Sequence, residues 1–176
     1  WQIYSYNGKD WFEADTKVTP GFWRSVTYGN NMFVAVSDSV SPWQIYSYNG
    51  KDWFIAVNPA PSGKFSSVTY GNNMFVAVSW NSSPWQIYSY NGKDWYEADT
   101  KVTSGKWRGV TYGNNMFLAV SEAESPWQIY SYNGKDWFTV TNPVTSGGWM
   151  EVTYGNNMFV AVSYGSSPWQ MYGTVI

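Results

Sequence analysis

The sequence predicts an all-β protein built from four equivalent small sheets. The string WQIYSYNGKDW begins at Trp1 and returns unchanged at Trp43, Trp85 and Trp127, a period of about 42 residues. A fixed period of this size is the sequence signature of a repeat architecture. Each copy also contains four runs rich in aromatic and β-branched residues, which favour strands, and no stretch with helical spacing of apolar residues.

We expect a single domain over residues 1–176. It divides into repeats 1–42, 43–84, 85–126 and 127–168, and the string WQMY at 169–172 begins a partial fifth repeat over 169–176. A unit of this length cannot bury a core alone and must pack on its neighbours. Aromatic residues make up 21% of the chain, and rings that each bury roughly 150–250 Å² can supply such a core.

In the first copy the four predicted strands cover residues 1–6, 11–15, 23–28 and 32–37. Asn7-Gly8 lies between the first two, and Asn-Gly is typical of the type I′ turn of a two-residue hairpin. Gly29-Asn30-Asn31 separates the last two, and both residue types tolerate a left-handed backbone. A proline precedes each later copy of the first strand, a position that needs no backbone N–H.

Four antiparallel strands repeated four times predict a four-bladed β-propeller, with one sheet per blade around an axis. A β-trefoil has repeats of similar length but needs three of them. A β-solenoid is the other alternative, but its coils are shorter, and Asn-Gly turns reverse the chain instead of coiling it.

Two stretches of each copy resemble known propeller repeats. Residues 5–11, SYNGKDW, resemble the Asp box (BNR repeat), the S-x-D-x-G-x-x-W hairpin of sialidase-type propellers, although they are one residue shorter and have Asn in place of Asp. Residues 23–37, WRSVTYGNNMFVAVS, are similar to the W-x-x-V-x-Y-G-N-G-x-F-V-A-V repeat of bacterial surface and phage-associated proteins. Together the two patterns cover most of all four copies.

This resemblance implies an order for the strands. The run 23–28 would be the innermost strand of the first blade, and the fourth blade would take its inner pair from 149–163 and its outer pair from 1–15. The N- and C-terminal strands would then close the ring. Residues 169–172 duplicate a strand that residues 1–6 already supply, so one copy is displaced, adds to a sheet edge or pairs with another chain. Because an unpaired edge strand promotes association, the duplication favours a homo-oligomer.

Composition limits the chemistry that the chain can perform. It contains no Cys and no His, which removes thiolate chemistry and the commonest acid–base group and metal ligand. A net charge of −2 gives no electrostatic footprint for nucleic acid, and no apolar run approaches the roughly 20 residues of a membrane span. We therefore expect no cofactor and no metal. The repeated Asp10 could hold a cation only if its copies faced the axis, and its tight turn favours solvent or a backbone N–H instead.

In an up-and-down blade, successive connections alternate between the two faces of the disc. The Asn-Gly and Gly-Asn-Asn turns therefore share one face, the invariant face, and the connections that differ between copies share the other, the variable face. Loops on a rigid frame are where binding residues concentrate. The candidate ligand-binding residues are Trp23, Arg24, Trp80, Trp107, Arg108, Trp149 and Tyr164. The opposing interpretation is that these loops differ because nothing constrains them.

These observations favour a non-catalytic, multivalent, lectin-like module that recognises carbohydrate or a cell-surface partner, located outside the cell or at a cell or phage surface. The alternative is a structural repeat scaffold, recently amplified or designed, with no specific ligand. A glycosidase-like enzyme is a remote alternative. Sialidase-type sites use three arginines and this chain has only Arg24 and Arg108, while the carboxylate pairs Glu13/Asp15 and Glu97/Asp99 occur twice, so that neither pair is distinguished.

Overall fold

The computed structural model describes residues 1–19, 21–39, 41–80, 82–103, 105–123, 126–165 and 170–174. Seventeen strands and no helix occur within these ranges, so the all-β prediction is confirmed. No described segment is a helix of the length and hydropathy that a membrane crossing requires.

The strands form an N-terminal hairpin and four blades. The hairpin consists of β1 (Ile3–Tyr4) and β2 (Phe12–Glu13). Blade one contains β3 (Trp23–Gly29), β4 (Met32–Ser37), β5 (Gln44–Ser47) and β6 (Phe54–Ile55). Blade two contains β7 (Phe65–Gly71), β8 (Met74–Ser79), β9 (Gln86–Ser89) and β10 (Tyr96–Glu97). Blade three contains β11 (Trp107–Gly113), β12 (Met116–Ser121), β13 (Gln128–Ser131) and β14 (Phe138–Thr139). Blade four contains β15 (Trp149–Gly155), β16 (Met158–Ser163) and β17 (Gln170–Thr174).

Within each blade the strands are antiparallel and follow chain order, which confirms the predicted up-and-down arrangement. The turn between the first two strands has left-handed φ at both asparagines, 47° at Asn30 and 57° at Asn31, and the other three copies agree. Asparagine tolerates this region better than other residues with a Cβ, which explains the Asn-Asn pair. Because antiparallel strands in chain order reverse at alternate ends of the sheet, the Gly-Asn-Asn and Asn-Gly turns lie at the same end.

The Asn-Gly turn differs from the type I′ prediction. Only its glycine has a left-handed backbone, with φ of 76° at Gly50. The chain reverses over a longer loop that side chains stabilise: the Gly50 N–H donates to Ser47 Oγ at 2.8 Å, and the Lys51 and Asp52 N–H groups both donate to Asn49 Oδ1 at 2.9 Å. Asparagine therefore acts here as a local acceptor, in the manner of an Asx turn.

The core lies between adjacent blades. The innermost strands pack side by side in the order β3, β7, β11, β15. One cluster joins Met32 and Val34 of blade one to Phe75, Ile87 and Trp95 of blade two, and an equivalent cluster joins blades two and three. Each blade therefore depends on its neighbour for burial, as expected of repeats.

The predicted source of blade four's outer strands is wrong. The structure pairs β16 with β17, from Val162 opposite Gln170 to Met158 opposite Thr174, so the C-terminal copy of the duplicated strand occupies this position. β1 pairs only with β2, and the hairpin continues into blade one, where the Thr16 N–H donates to the Lys51 carbonyl. Residues 1–6 and 169–174 have similar sequences, and the copy that directly follows β16 in the chain occupies the position.

The two ends of the blade array consequently remain uncovered. Val26 of β3 is 60% exposed, whereas Val68 and Val110, its counterparts in β7 and β11, are 5% and 4% exposed. Within the described residues, β3 packs against β7, β7 against β11 and β11 against β15, but β15 does not pack against β3 in the same way. The hairpin lies at one end and blade four at the other.

Candidate functional site

Every blade has a β-bulge near the start of its innermost strand. The pairing of the first two strands shifts at the second residue of β3, β7, β11 and β15, so that two residues oppose one. Bulges of this kind re-aim side chains. In blades one and three the bulge carries Arg24 and Arg108.

Both arginines are paired with acids of their own blade. Arg24 Nε donates to Asp38, and Arg108 Nε donates to Glu122 Oε2 at 2.7 Å. Each acid follows its arginine by the same interval, and copies two and four have neither the arginine nor the acid. This correlation between copies was present in the sequence, and it would have identified Asp38 and Glu122 as the partners.

Trp80 extends the second of these pairs into a cluster that joins blades two and three. Its indole Nε1 donates to Glu122 Oε2 at 2.8 Å, and the Arg108 guanidinium lies over its ring at 4.5 Å from the centroid. Burial would raise the pKa of Glu122, but the hydrogen bond and charge of Arg108, assisted by Trp80, lower it below its ordinary value. The structure thus brings two predicted residues together with Glu122, which the prediction did not include.

Three of the predicted aromatic residues are buried or half-buried. Trp107 and Trp149 are fully buried, and Trp23 is half-buried. The Trp107 ring lies across Gly105, where a Cβ would approach it to 2.4 Å. The Nε1 atoms of all three indoles have no hydrogen-bond partner among the described residues. Trp107 and Trp149 present no stacking face to solvent in this structure, and their assignment to ligand binding stays a prediction.

Tyr164 is the most open of the predicted residues, with 78% of its surface exposed. It borders a cavity of about 400 Å³ between blades three and four, which is also lined by Glu122, Trp127 and Gly148. This cavity lies beside the connections that differ between copies, including Ser146 and Gly165.

Two larger cavities, which the sequence analysis did not predict, lie at the ends of the array. One, of about 520 Å³, is lined by blades three and four, including Leu118, Phe159 and Met171. The other, of about 510 Å³, is lined by the hairpin and blade one, including Trp11 and Val26. Both are predominantly apolar.

The repeated aspartates connect neighbouring blades. Asp52 accepts from Asn49 Nδ2 at 2.8 Å within its own turn and from Thr16 Oγ1 at 2.9 Å across the blade boundary. Asp94 and Asp136 lie in the same position opposite Asn58 and Thr100. No group of three potential metal-ligating acids, histidines or cysteines occurs among the residues that the structure describes. The aspartates therefore accept hydrogen bonds from side chains, whereas we expected solvent or a backbone N–H as the partner.

These hydrogen bonds predict a loss of stability in acid. The bond from Asn49, followed by that from Thr16, lowers the pKa of Asp52, and equivalent partners lower the pKa of Asp94 and Asp136. A lowered folded-state pKa stabilises the protein above the unfolded value of about 3.9, and this contribution disappears as the pH falls through the folded value. Thermal melts should show a falling Tm below about pH 4.

Replacing all three aspartates, D52N, D94N and D136N, should flatten this pH profile. The matched control is D10N, because Asp10 accepts from Asn7 but has no bridge from a preceding blade in the described structure. Identical slopes for the native chain and the triple variant would contradict the assignment.

Comparisons with known proteins establish the fold alone. No protein-family model matches the sequence, and no curated protein matches it either. The structure is similar to the computationally designed protein Ika4, with a TM-score of 0.64 and 9% identity over 92% of this chain and 96% of that one. The structural neighbours of this chain are β-propeller-like, and the chain itself has a β-propeller fold with repeated four-stranded sheets. Its relationship to the Asp-box class stays a prediction.

Two natural proteins resemble the fold as well. YCF48, solved with a D1 peptide, has a TM-score of 0.61 and 16% identity over 87% of this chain and 51% of that one. A chain of a nidogen–laminin complex has a TM-score of 0.62 and 9% identity over 81% of this chain and 57% of that one. This chain therefore spans just over half the length of each of these two natural chains.

Proposed function

We propose that this chain is a non-catalytic structural scaffold whose repeated side chains hold its blades together. The observation that carries the proposal is that most of the candidate binding residues already have partners within the chain. Trp107 and Trp149 are buried in the core, and Arg24 and Arg108 are paired with acids of their own blades. The similarity to a designed propeller supports a chain that needs no ligand in order to be built this way.

The acidic residues support the non-catalytic part of the proposal. Glu13 pairs with Lys17, and Glu97 Oε2 lies 2.7 Å from Lys101 Nζ, so both glutamates make the same i,i+4 ion pair. Hydrolysis of a glycoside needs two carboxyl groups with different roles. Two equivalent ion pairs in equivalent repeats give neither copy a distinct role.

A second candidate function is recognition of a carbohydrate or a cell-surface protein on the variable face. The cavity beside Tyr164 favours it, since an exposed aromatic residue and an acid, Glu122, both line this cavity. Structural neighbours solved with a peptide and in a protein complex support a partner of this kind. A location outside the cell or at a cell or phage surface belongs to this proposal, because it rests on the resemblance to surface and phage repeats.

A glycan array combined with an array of short peptides separates the two functions. The scaffold function predicts no saturable binding to either array. Binding of a defined glycan or peptide that Y164A abolishes and that Y48A preserves would overturn the scaffold in favour of recognition. Tyr48 is the matched control because it is an exposed tyrosine on the invariant face. Circular dichroism of both variants confirms that the fold is intact.

A further inference from the structure

We propose that copies of this chain associate head to tail, with the N-terminal hairpin and β3 of one copy covering blade four of another. The inference deepens the scaffold function and rests on it, because a scaffold extends by repeating its own interface. The two end faces match each other position by position, as the contacts inside the array show.

The N-terminal end face exposes side chains that are covered elsewhere. Trp11 is 59% exposed, whereas Trp53 and Trp95 are each 6% exposed and Trp137 is 2% exposed. Val26 shows the same contrast with its buried counterparts in blades two to four. Removing apolar surface of this kind from water is favourable in free energy, so its exposure favours association.

The C-terminal end face exposes the complementary side. Gly29, Gly71 and Gly113 each lie against the tyrosine ring of the next blade, at Tyr70, Tyr112 and Tyr154 respectively. Gly155 is the fourth member of this series and has nothing within 4 Å of the position of a Cβ. Its missing counterpart is Tyr28, which is exposed at the other end of the array. Tyr28 of a second copy would therefore continue the series.

The polar contacts across the blade boundaries also form a repeated series that lacks its last member. The bridges Thr16–Asp52, Asn58–Asp94 and Thr100–Asp136 recur at one repeat position. The next bridge would join Asn142 to Asp10, which lie at opposite ends of the array. Lys51 lies over Tyr4 and Tyr6, and Lys93 lies over Tyr46 and Tyr48. By the same rule, Lys9 of a second copy would lie near Tyr130 and Tyr132 of blade three.

The cavity in blade four has the lining that surrounds the equivalent tryptophan in the other blades. Trp53 packs in one cluster with Ala35 and Ile45. Trp137 packs in another with Ala119 and Ile129. In blade four the corresponding positions are Ala161 and Met171, and both line the cavity of about 520 Å³. If the hairpin of a second copy replaces β17, its Trp11 packs on Ala161 by repeat register, with its own Ile3 at the position that Met171 now occupies.

The hairpin must take the place of β17, which now forms the third strand of blade four. Both strands carry the pattern Trp-Gln-x-Tyr, but the hairpin also brings a stabilised turn, in which the Gly8 N–H donates to Ser5 Oγ at 2.9 Å. The tail has Gly173 at the position of Ser5 and cannot make this bond. Exchange of β17 for the hairpin therefore adds a fourth strand and Trp11 to blade four.

The partner is a second copy because the chain's own hairpin packs on blade one and leaves blade four without it. Thr16 bonds to Lys51 and Asp52 there, and Lys51 covers Tyr4 and Tyr6. In the described residues, neither β1 nor β2 pairs with blade four. A head-to-tail contact between identical chains produces a ring if the rotation closes and a filament if it does not.

Sedimentation velocity over a concentration series tests the association. The full chain should show a weight-average mass that rises with concentration, and W11A and V26D should weaken the association by at least about tenfold. Both residues are exposed in the single chain, so neither change should unfold it. Y164D is the control for an exposed aromatic residue on the variable face and should associate like the native chain. A chain that is monomeric at every concentration, or association that W11A and V26D leave unchanged, would overturn the proposal.

The strand exchange has its own test in the full-length variant M171D. Met171 is half-buried against Trp149 and Val152, so a carboxylate at this position weakens the packing of β17 without altering the hairpin, and this variant should associate more tightly than the native chain. Weaker association would show that the tail itself makes the contact and would overturn the exchange. A strictly monomeric M171D would show that the hairpin closes on its own chain and would overturn the second-copy assignment.

Cross-linking identifies the contact directly, because the chain has no cysteine of its own. Mixing chains that carry D10C with chains that carry N142C should yield a disulfide-linked pair, and mixing D10C with Y164C should not. Failure of the first pair to form under oxidising conditions would overturn the proposed register. None of these outcomes contradicts the scaffold function, which would be contradicted only by a specific ligand on the glycan or peptide array.

Discussion

Replacing Trp95 by alanine is expected to lower the free energy of unfolding by about 3–5 kcal/mol, the range for truncating a buried aromatic residue. Trp95 is 6% exposed and packs on residues of blades one and two, including Val34, Phe75 and Ile87. Its removal leaves a cavity at the boundary between the two blades. The loss should therefore destabilise both sheets.

The matched control for this experiment is W11A. Trp11 occupies the same repeat position and makes the same local hydrogen bond, since its Nε1 donates to Gly8 O at 3.3 Å just as Trp95 Nε1 donates to Gly92 O at 3.3 Å. Only its burial differs. Chemical denaturation at a concentration where the chain is monomeric should show a change of no more than about 1 kcal/mol, the net value of one exposed hydrogen bond. Equal losses in the two variants would contradict the packing assigned to the interior tryptophans.

Replacing Gly71 by alanine is expected to cost about 1–3 kcal/mol through overpacking. A Cβ at Gly71 would come within 2.0 Å of the Tyr112 ring, so the ring or the backbone of blade three must move. The strain arises at the contact between two inner strands, where each blade meets the next. Urea unfolding of the variant and the native chain measures the difference.

Gly155 provides the control for this substitution. It ends β15 as Gly71 ends β7, but nothing lies within 4 Å of a Cβ at this position. G155A should change the free energy of unfolding of the single chain by no more than about 1 kcal/mol, because a glycine replaced without strain mainly loses entropy in the unfolded state. A large loss at Gly155, or none at Gly71, would show that the tyrosine does not restrict the glycine.

The candidate site shows which inferences from sequence are secure. The variable face was predicted from strand alternation alone, and the hydrogen bond from the Trp80 N–H to the Lys64 carbonyl joins two of its loops in the structure. Its members were less predictable. Aromatic residues at strand starts suit both a ligand platform and a core, and burial of Trp107 against Gly105 depends on a backbone fold that no local pattern specifies. Glu122 could not be predicted from its own loop, because its role shows only in the pair of positions, 108 and 122, that change together between copies.

The sequence by itself determined the strands, the turns with left-handed asparagines, the repeat period and the order of strands within each blade. These follow from residue preferences and spacings over a few positions, and such preferences act locally. Only the tertiary structure decided which terminal strand completes blade four and which tryptophans are buried. Strands at 1–6 and 169–174 have almost the same local preference, and every copy of Trp11 has the same neighbours in sequence. What separates them is the presence or absence of an adjacent blade, because burial is a property of the array and not of the repeat.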